Sequence, residues 1–270
     1  MEGLTTRRQG KRFFASDDKR LPFFTLVIMA PFNLSATVNA LRVLKNPALC
    51  CPHLTIATFN DLPVPLGKGI QNGEKHVDIR AVILDKDNCF AVPNALEVLP
   101  SYQVIYPPHP AKFNELRKAY PGNKLLIVSN SAGTFDDPEY KEATILEKNT
   151  GVKVLRHSTK VQSLYPQSFY SSPPAPLTHI QKPGCYNEIF EFLRSSPDTN
   201  VTSPDQVAVV GDRLFTDVLM ANMMGSWSVW VKDGVIKPDK IFFGKIERGL
   251  AGMLEGQRWR PPTPSSKLLP

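Results

Sequence analysis

The chain has 270 residues, 42% of them apolar and 21% charged, a globular composition that excludes a wholly disordered protein. A formal net charge of +7 predicts a surface that attracts anions: nucleic acid, anionic lipid or phosphorylated substrates. No run of about 18 apolar residues occurs, so no bilayer-spanning segment is expected. Four cysteines (Cys50, Cys51, Cys89, Cys185) form no CxxC pair and have no His at zinc-ligand spacing, which points to a reducing compartment.

Residues 1–28 read as a basic extension. Arg7, Arg8, Lys11, Arg12, Lys19 and Arg20 surround Phe13 and Phe14, a pattern similar to a mitochondrial presequence, although Glu2, Asp17 and Asp18 depart from it. A disordered basic arm reads equally well. Residues 29–76 are expected to form an amphipathic helix and a wrapping arm. Ser35 suits an N-cap, Leu34, Val38, Leu41 and Leu44 recur at helical spacing, and Asn46-Pro47 stops the helix. Such a helix suits either a membrane interface or the domain's own core. Pro52, Pro63 and Pro65 then mark the arm.

From residue 77 strands and helices alternate. Strands are expected at 77–84, 124–128, 152–155, 206–210 and 228–231, with helices at 111–120, 137–148, 184–193, 214–224 and 240–254. The loop over 90–110 carries Tyr102 and Tyr106, and another Pro/Ser-rich loop covers 165–183. This alternation predicts an α/β fold: a Rossmann-like parallel sheet with helices on both faces, over 77–254. Residues 255–270, with Arg258-Trp-Arg-Pro-Pro-Thr-Pro, are expected to be a disordered tail.

The polar clusters fall at strand ends. Asp85-Lys-Asp-Asn-Cys89 follows the first strand, Ser129-Asn130 the second and Gly211-Asp212 the fourth, with Asp217 shortly after and Lys182 before the helix that leads there. Asp85 and Asp87 also suit an ordinary polar turn. Parallel strands bring their carboxyl ends to one edge, however, so these groups should converge. Several acids, one Lys and a small hydroxyl make a pocket for Mg²⁺ and phosphate.

This order resembles the four motifs of the haloacid dehalogenase superfamily of phosphohydrolases, over about residues 77–235. The resemblance implies that Asp85 attacks phosphorus and that Asp87 protonates the leaving group and then activates water. Ser129 and Asn130 would hold phosphoryl oxygens, and Lys182 would balance charge. Asp85, the Asp87 carbonyl and Asp212 would hold Mg²⁺, while Asp217 orients the lysine or a water on the metal. Cys89 stands where the superfamily usually has Thr or Val; the acid pair is intact.

A loop and one helix fill the first interval between motifs, and one helix, one strand and a Pro-rich loop the second, so neither holds a cap domain, which predicts an open site for a macromolecule or a membrane-presented head group. Asp85-Lys-Asp-Asn, Leu-Leu-Ile-Val-Ser-Asn-Ser-Ala-Gly133, Gly211-Asp-Arg-Leu-Phe-Thr-Asp-Val218 and Asn33-Leu-Ser-Ala-Thr-Val-Asn-Ala-Leu41 are similar to the fungal mitochondrial phosphatidylglycerophosphate phosphatases. That resemblance implies hydrolysis of phosphatidylglycerophosphate to phosphatidylglycerol, on the route to cardiolipin. It also implies peripheral association with the matrix face of the inner membrane, an anionic phospholipid partner and no nucleic-acid partner. Lys86, Lys141, Arg156 and Arg213 are candidates for lipid contacts. A soluble phosphatase of the same superfamily and a non-catalytic anionic-lipid binder remain as alternatives.

Overall fold

The computed structural model describes residues 42–70, 77–103, 111–157, 182–236 and 242–267. The expected extension over 1–28, most of the helix expected over 34–45 and most of the loop over 165–183 lie outside these residues. Of that first helix only residues 42–45 are described, and they are helical.

Among the described residues six strands form one parallel sheet: β1 (Leu54–Ile56), β2 (Ala81–Leu84), β3 (Leu125–Ile127), β4 (Lys153–Val154), β5 (Val207–Gly211) and β6 (Trp227–Val231). Their order is β1-β6-β5-β2-β3-β4, so the chain crosses over at every step, and β2 lies at the centre between β3 and β5. Among the described residues, five α-helices of six or more residues accompany them. A single turn, α1 (Pro100–Gln103), precedes α2 (Lys112–Ala119), α3 (Lys141–Thr150), α4 (Tyr186–Ser195), α5 (Leu219–Met224) and α6 (Phe242–Gly256). Gly151 closes α3 in the left-handed region, φ 66°, where a Cβ would be strained.

Central parallel strands are covered on both faces, which is why β2 is a continuous apolar run with all four residues buried. Side chains alternate across it. Val82 and Leu84 pack with Phe59, Phe90, Phe113 and Leu116, whereas Ala81 and Ile83 pack with Ile189, Leu193 and Met220. The rings of Phe90 and Phe113 lie 5.2 Å apart, close enough to add aromatic attraction to area burial.

Two expectations are corrected. The wrapping arm contributes a strand: β1 pairs with β6 through Leu54↔Val229 and Ile56↔Val231, so the sheet has six strands rather than five. Residues 257–267 are not a disordered tail. Pro262 O accepts from His53 Nε2 at 2.9 Å, and Ser265 N donates to Gly225 O at 3.0 Å, which straps this segment across the β1–β6 side of the sheet. The two ring nitrogens of His53 specify a neutral imidazole. Nε2 faces that carbonyl and must donate, while Nδ1 faces the Ser228 N–H at 3.1 Å and must accept. Burial, only partly offset by the Pro262 carbonyl, pushes the His53 pKa down to about 4.

No cap domain is present among the described residues. Between Asp87 and Ser129 they hold α1 and α2, and between Asn130 and Lys182 a 3-10 turn, α3 and β4. No helix among them is long and apolar enough to cross a membrane.

Candidate active site

Each candidate group stands where a parallel strand stops. Asp85 follows β2, Ser129 and Asn130 follow β3, and Asp212 follows β5. Neighbouring strands are about 4.8 Å apart, so three loops meet over the end of β2. Lys182 reaches the same place: its Nζ donates to Asp85 Oδ1 and, at 2.6 Å, to Asp217 Oδ1. The carboxylates of Asp85, Asp212 and Asp217 lie within 4.8 Å of one another.

Local backbone explains how Asp217 arrives. A π-helical turn, Leu214–Val218, precedes α5, with the N–H groups of Asp217 and Val218 both donating to Arg213 O at 3.0 and 3.2 Å. This wide turn swings Asp217 back beneath Gly211, where its Oδ2 also accepts from Arg213 N at 3.2 Å. Asp212 is fixed by Trp230 Nε1, which donates to its carbonyl at 2.9 Å, and by Asn88 Nδ2, which donates to its Oδ2 at 2.8 Å. Its Oδ1 is buried with no hydrogen-bond partner.

The electrostatics follow from burial. Asp85 is held well above the usual carboxylate range by desolvation; Lys182 opposes this, and Asp217 and Asp212 add to it. Asp212 is pushed up to about 7, by burial first and then by the charge of Asp217. Burial disfavours the Lys182 ammonium, but Asp217 and Asp85 outweigh it and hold the group charged. Three acids around one ammonium leave a formal excess of negative charge, and Asp212 Oδ1 lacks a donor. This donor set is compatible with a hard metal cation.

Asp87 is brought to the same cleft but stands apart from the acid cluster. Residues 86–91 fold back through Asn88 N→Ala91 O (2.9 Å) and Ala91 N→Lys86 O (3.1 Å). Asp87 Oδ1 accepts from Lys86 Nζ and, at 2.8 Å, from Asn94 N, while Oδ2 faces the Ser131 hydroxyl at 3.4 Å. Asn130 lines the cleft, and its Oδ1 accepts from Lys182 N at 3.1 Å. Ser129 is fully buried; its Oγ accepts from Ser131 N at 3.1 Å and lies 3.0 Å from Ser131 Oγ, so it shapes the loop after β3. Asp137 pins that loop to α3 by accepting from Gly133 N and Ala143 N, each at 2.9 Å.

Asp85, Asp87, Asn130, Lys182 and Asp212 line one cleft of about 410 Å³. Its remaining lining includes Asn88, Arg213, Thr216, Lys232, Glu247 and Arg248, and of these only Arg213 was singled out from the sequence. Asn88 has φ 59°, and its Oδ1 accepts from Ile236 N at 2.7 Å, tying the loop after β6 to Asp212. Its place beside the acid pair and the tolerance of Asn for that conformation were the available signals. Glu247 and Arg248 lie on α6, which no motif marks. Burial pushes Glu247 up to about 7.

Of the candidate lipid contacts, Lys86 is excluded: it is fully buried against Asp87 and Ala95 O. Arg156 is committed to Glu147, with Nη1 at 2.6 Å and Nη2 at 2.8 Å, and Lys141 pairs with Glu139 at 3.1 Å on the surface.

Comparison with known proteins assigns the chain to a family. The chain is 45% identical over 203 residues to the mitochondrial phosphatidylglycerophosphatase of Saccharomyces cerevisiae, covering 75% of this chain and 89% of that protein. It is 32% identical over 196 residues to the Schizosaccharomyces pombe protein named "Probable phosphatidylglycerophosphatase, mitochondrial", covering 72% and 79%. It is 34% identical over 198 residues to the chloroplastic phosphatidylglycerophosphate phosphatase 1 of Chlamydomonas reinhardtii, covering 69% and 54%. No solved structure matches the chain. Residues 34–236 match the family described as mitochondrial PGP phosphatase, and the chain belongs to that family.

Proposed function

We propose that this chain is a phosphatidylglycerophosphatase, which hydrolyses the terminal phosphate monoester of phosphatidylglycerophosphate to give phosphatidylglycerol and phosphate. The observation that carries the reading is Lys182 Nζ, bonded to both Asp85 and Asp217 beside Asp212, at the sheet edge where parallel-sheet enzymes bind ligands.

Asp85 is the nucleophile. Its carboxylate oxygen bonds to phosphorus as the ester P–O bond breaks, giving an aspartyl phosphate and a glycerol alkoxide. Asp87 gives that alkoxide a proton, then takes one from the water that attacks the aspartyl phosphate, so hydrolysis is completed and both acids are regenerated. Lys86 and the Asn94 N–H hold Asp87 Oδ1, which keeps the carboxylate facing the cleft for both transfers. Lys182 offsets charge that develops on the transferred group, and Asn130 offers a polar contact to its oxygens. Ser129 acts through the loop shape that it enforces.

Asp85, Asp212 and the Asp87 carbonyl would hold Mg²⁺, and Asp217 keeps Lys182 in place. Magnesium, when bound, neutralises phosphoryl charge. The setting is the matrix face of the mitochondrial inner membrane, on the route to cardiolipin, with peripheral attachment. The basic balance of the chain favours an anionic membrane surface.

Phosphate release from phosphatidylglycerophosphate in vesicles, with and without Mg²⁺, tests the reading against p-nitrophenyl phosphate and soluble sugar phosphates. Strong preference for the lipid, dependent on Mg²⁺, is expected. Equal or better turnover of the soluble esters contradicts the substrate, and no turnover of any ester contradicts the enzyme.

A further inference from the structure

The cleft extends past the acid cluster along the sheet edge. Strand register gives the scale. Leu84 pairs with Val210, and Val210 with Val229. Asp85 is one residue beyond Leu84, and Lys232 is three beyond Val229. Lys232 therefore stands about 10 Å across the sheet from Asp85 and about two residues farther along the strand direction. Arg213 and Arg248 line the same cleft as Lys232.

These cations sit on fixed backbone. Lys232 N donates to Ile56 O at 2.9 Å, which locks the end of β6 to β1, and the exposed Lys232 ammonium has no ion-pair partner among the described residues. Arg248 Nη2 donates to Asp233 Oδ1 at 3.1 Å, which aligns α6 with the loop after β6. Arg213 follows Asp212 directly, and its charge is felt by both Asp212 and Glu247. A phosphate monoester bound at Asp85 and Lys182 does not need this second set of charges. A substrate that carries another anion farther along does.

We propose that Arg213, Lys232 and Arg248 form a second anionic subsite, which takes the phosphodiester that a glycerophospholipid monoester carries one glycerol away from its reacting phosphate. The inference rests on the functional reading above and names the group that sets specificity. The diester is permanently anionic, guanidinium groups match its oxygens as paired donors, and an extended glycerol bridge together with the reach of a lysine or arginine side chain spans a distance of the order that the register gives. The nucleophile then acts on whichever monoester is seated by this remote anchor, so binding energy away from phosphorus selects the substrate.

The test compares kcat/KM for a short-chain phosphatidylglycerophosphate, kept monomeric so that membrane adsorption does not enter, with kcat/KM for p-nitrophenyl phosphate. The variants are Lys232→Glu, Arg248→Ala and the charge-retaining Arg248→Lys. The ratio of the two constants should fall about tenfold or more in the first two variants and less in the third. An unchanged ratio, or equal losses on both esters, overturns the subsite. In a second arm, short-chain phosphatidylglycerol, which carries the diester and no monoester, competes against p-nitrophenyl phosphate. Its inhibition constant should rise in Lys232→Glu and Arg248→Ala, and an inhibition constant that does not move overturns the subsite. If wild type fails to turn over the lipid phosphate, the functional reading fails, and the inhibition arm still decides whether the diester binds here.

Discussion

The carboxyl group of Asp217 fills the space in which a side chain on Gly211 would begin: its Cγ, Oδ2 and Cβ all crowd the position of a Cβ there. The last residue of β5 is therefore glycine so that an acid from the following turn can lie against the strand end and meet Lys182. Gly211→Ala should push Asp217 off the lysine. The expected result is a loss of kcat of at least about a hundredfold, with overpacking destabilising the fold by roughly 1–3 kcal/mol. Steady-state kinetics and thermal unfolding read both effects. A variant with wild-type kcat would show that Asp217 has no part in the chemistry.

Lys86 is a fully buried lysine whose ammonium meets Asp87 and Ala95 O. Burying a charge is expensive, and the partner that Lys86→Met leaves behind, Asp87, is about one-third exposed and keeps the Asn94 N–H, so little uncompensated charge stays buried. Lys86→Met should therefore keep the melting temperature within a few degrees while kcat falls about tenfold or more, because Asp87 Oδ1 loses one of its two donors. KM for the ester should move little. If the melting temperature collapses and kcat per folded molecule does not change, Lys86 serves packing alone.

His53 gives the fold a pH dependence that can be computed in sign. Its folded pKa, about 4, lies below the ordinary value of 6.5, so the unfolded chain binds more protons between those limits. The stabilising contribution is complete above about pH 6.5 and is lost as pH falls towards 4, amounting to roughly 3 kcal/mol for that shift at about 1.36 kcal/mol per unit. Chemical unfolding at pH 7 and pH 5 should show the loss. His53→Gln, which keeps a donor for Pro262 O, should flatten the difference; an equally steep profile would assign it to other groups.

Magnesium should stabilise as well as activate. Chelation with EDTA is expected to abolish phosphate release, and Mg²⁺ at about a hundred times its dissociation constant should add roughly 2.7 kcal/mol to unfolding. Asp212→Asn should remove most of that increment because Asp212 Oδ1 is a buried carboxylate oxygen without a donor. Isothermal titration of the folded variant with Mg²⁺ checks this without relying on turnover. Undiminished binding would move the ion elsewhere.

The sequence made the centre of the molecule legible and the margins obscure. β2, β3, β5 and β6 are apolar runs long enough to stand out, and acids or small polar residues immediately after them mark the reactive edge, so Asp85, Asn130, Asp212 and Asp217 could be placed together. The apolar run of β1 is broken by Thr55 at its middle and sits among prolines, where propensity is silent; pairing with β6 makes it a strand. The segment over 257–267 is ordered by single contacts to His53 and Gly225, which no local pattern announces. Lys86 read as a surface charge because lysines usually are, and only the fold shows it turned inward onto Asp87. Arg248 and Glu247 had no motif at all, since helical spacing reveals which face is apolar but not which cleft the other face borders.

The most direct measurement is acid-quench trapping of labelled phosphate from phosphatidylglycerophosphate, for wild type and Asp85→Asn. The account predicts a covalently phosphorylated wild-type chain with the label on Asp85, and a variant that traps no label and releases phosphate slower by about a thousandfold or more. Label on another residue, or near-normal phosphate release by Asp85→Asn, contradicts it.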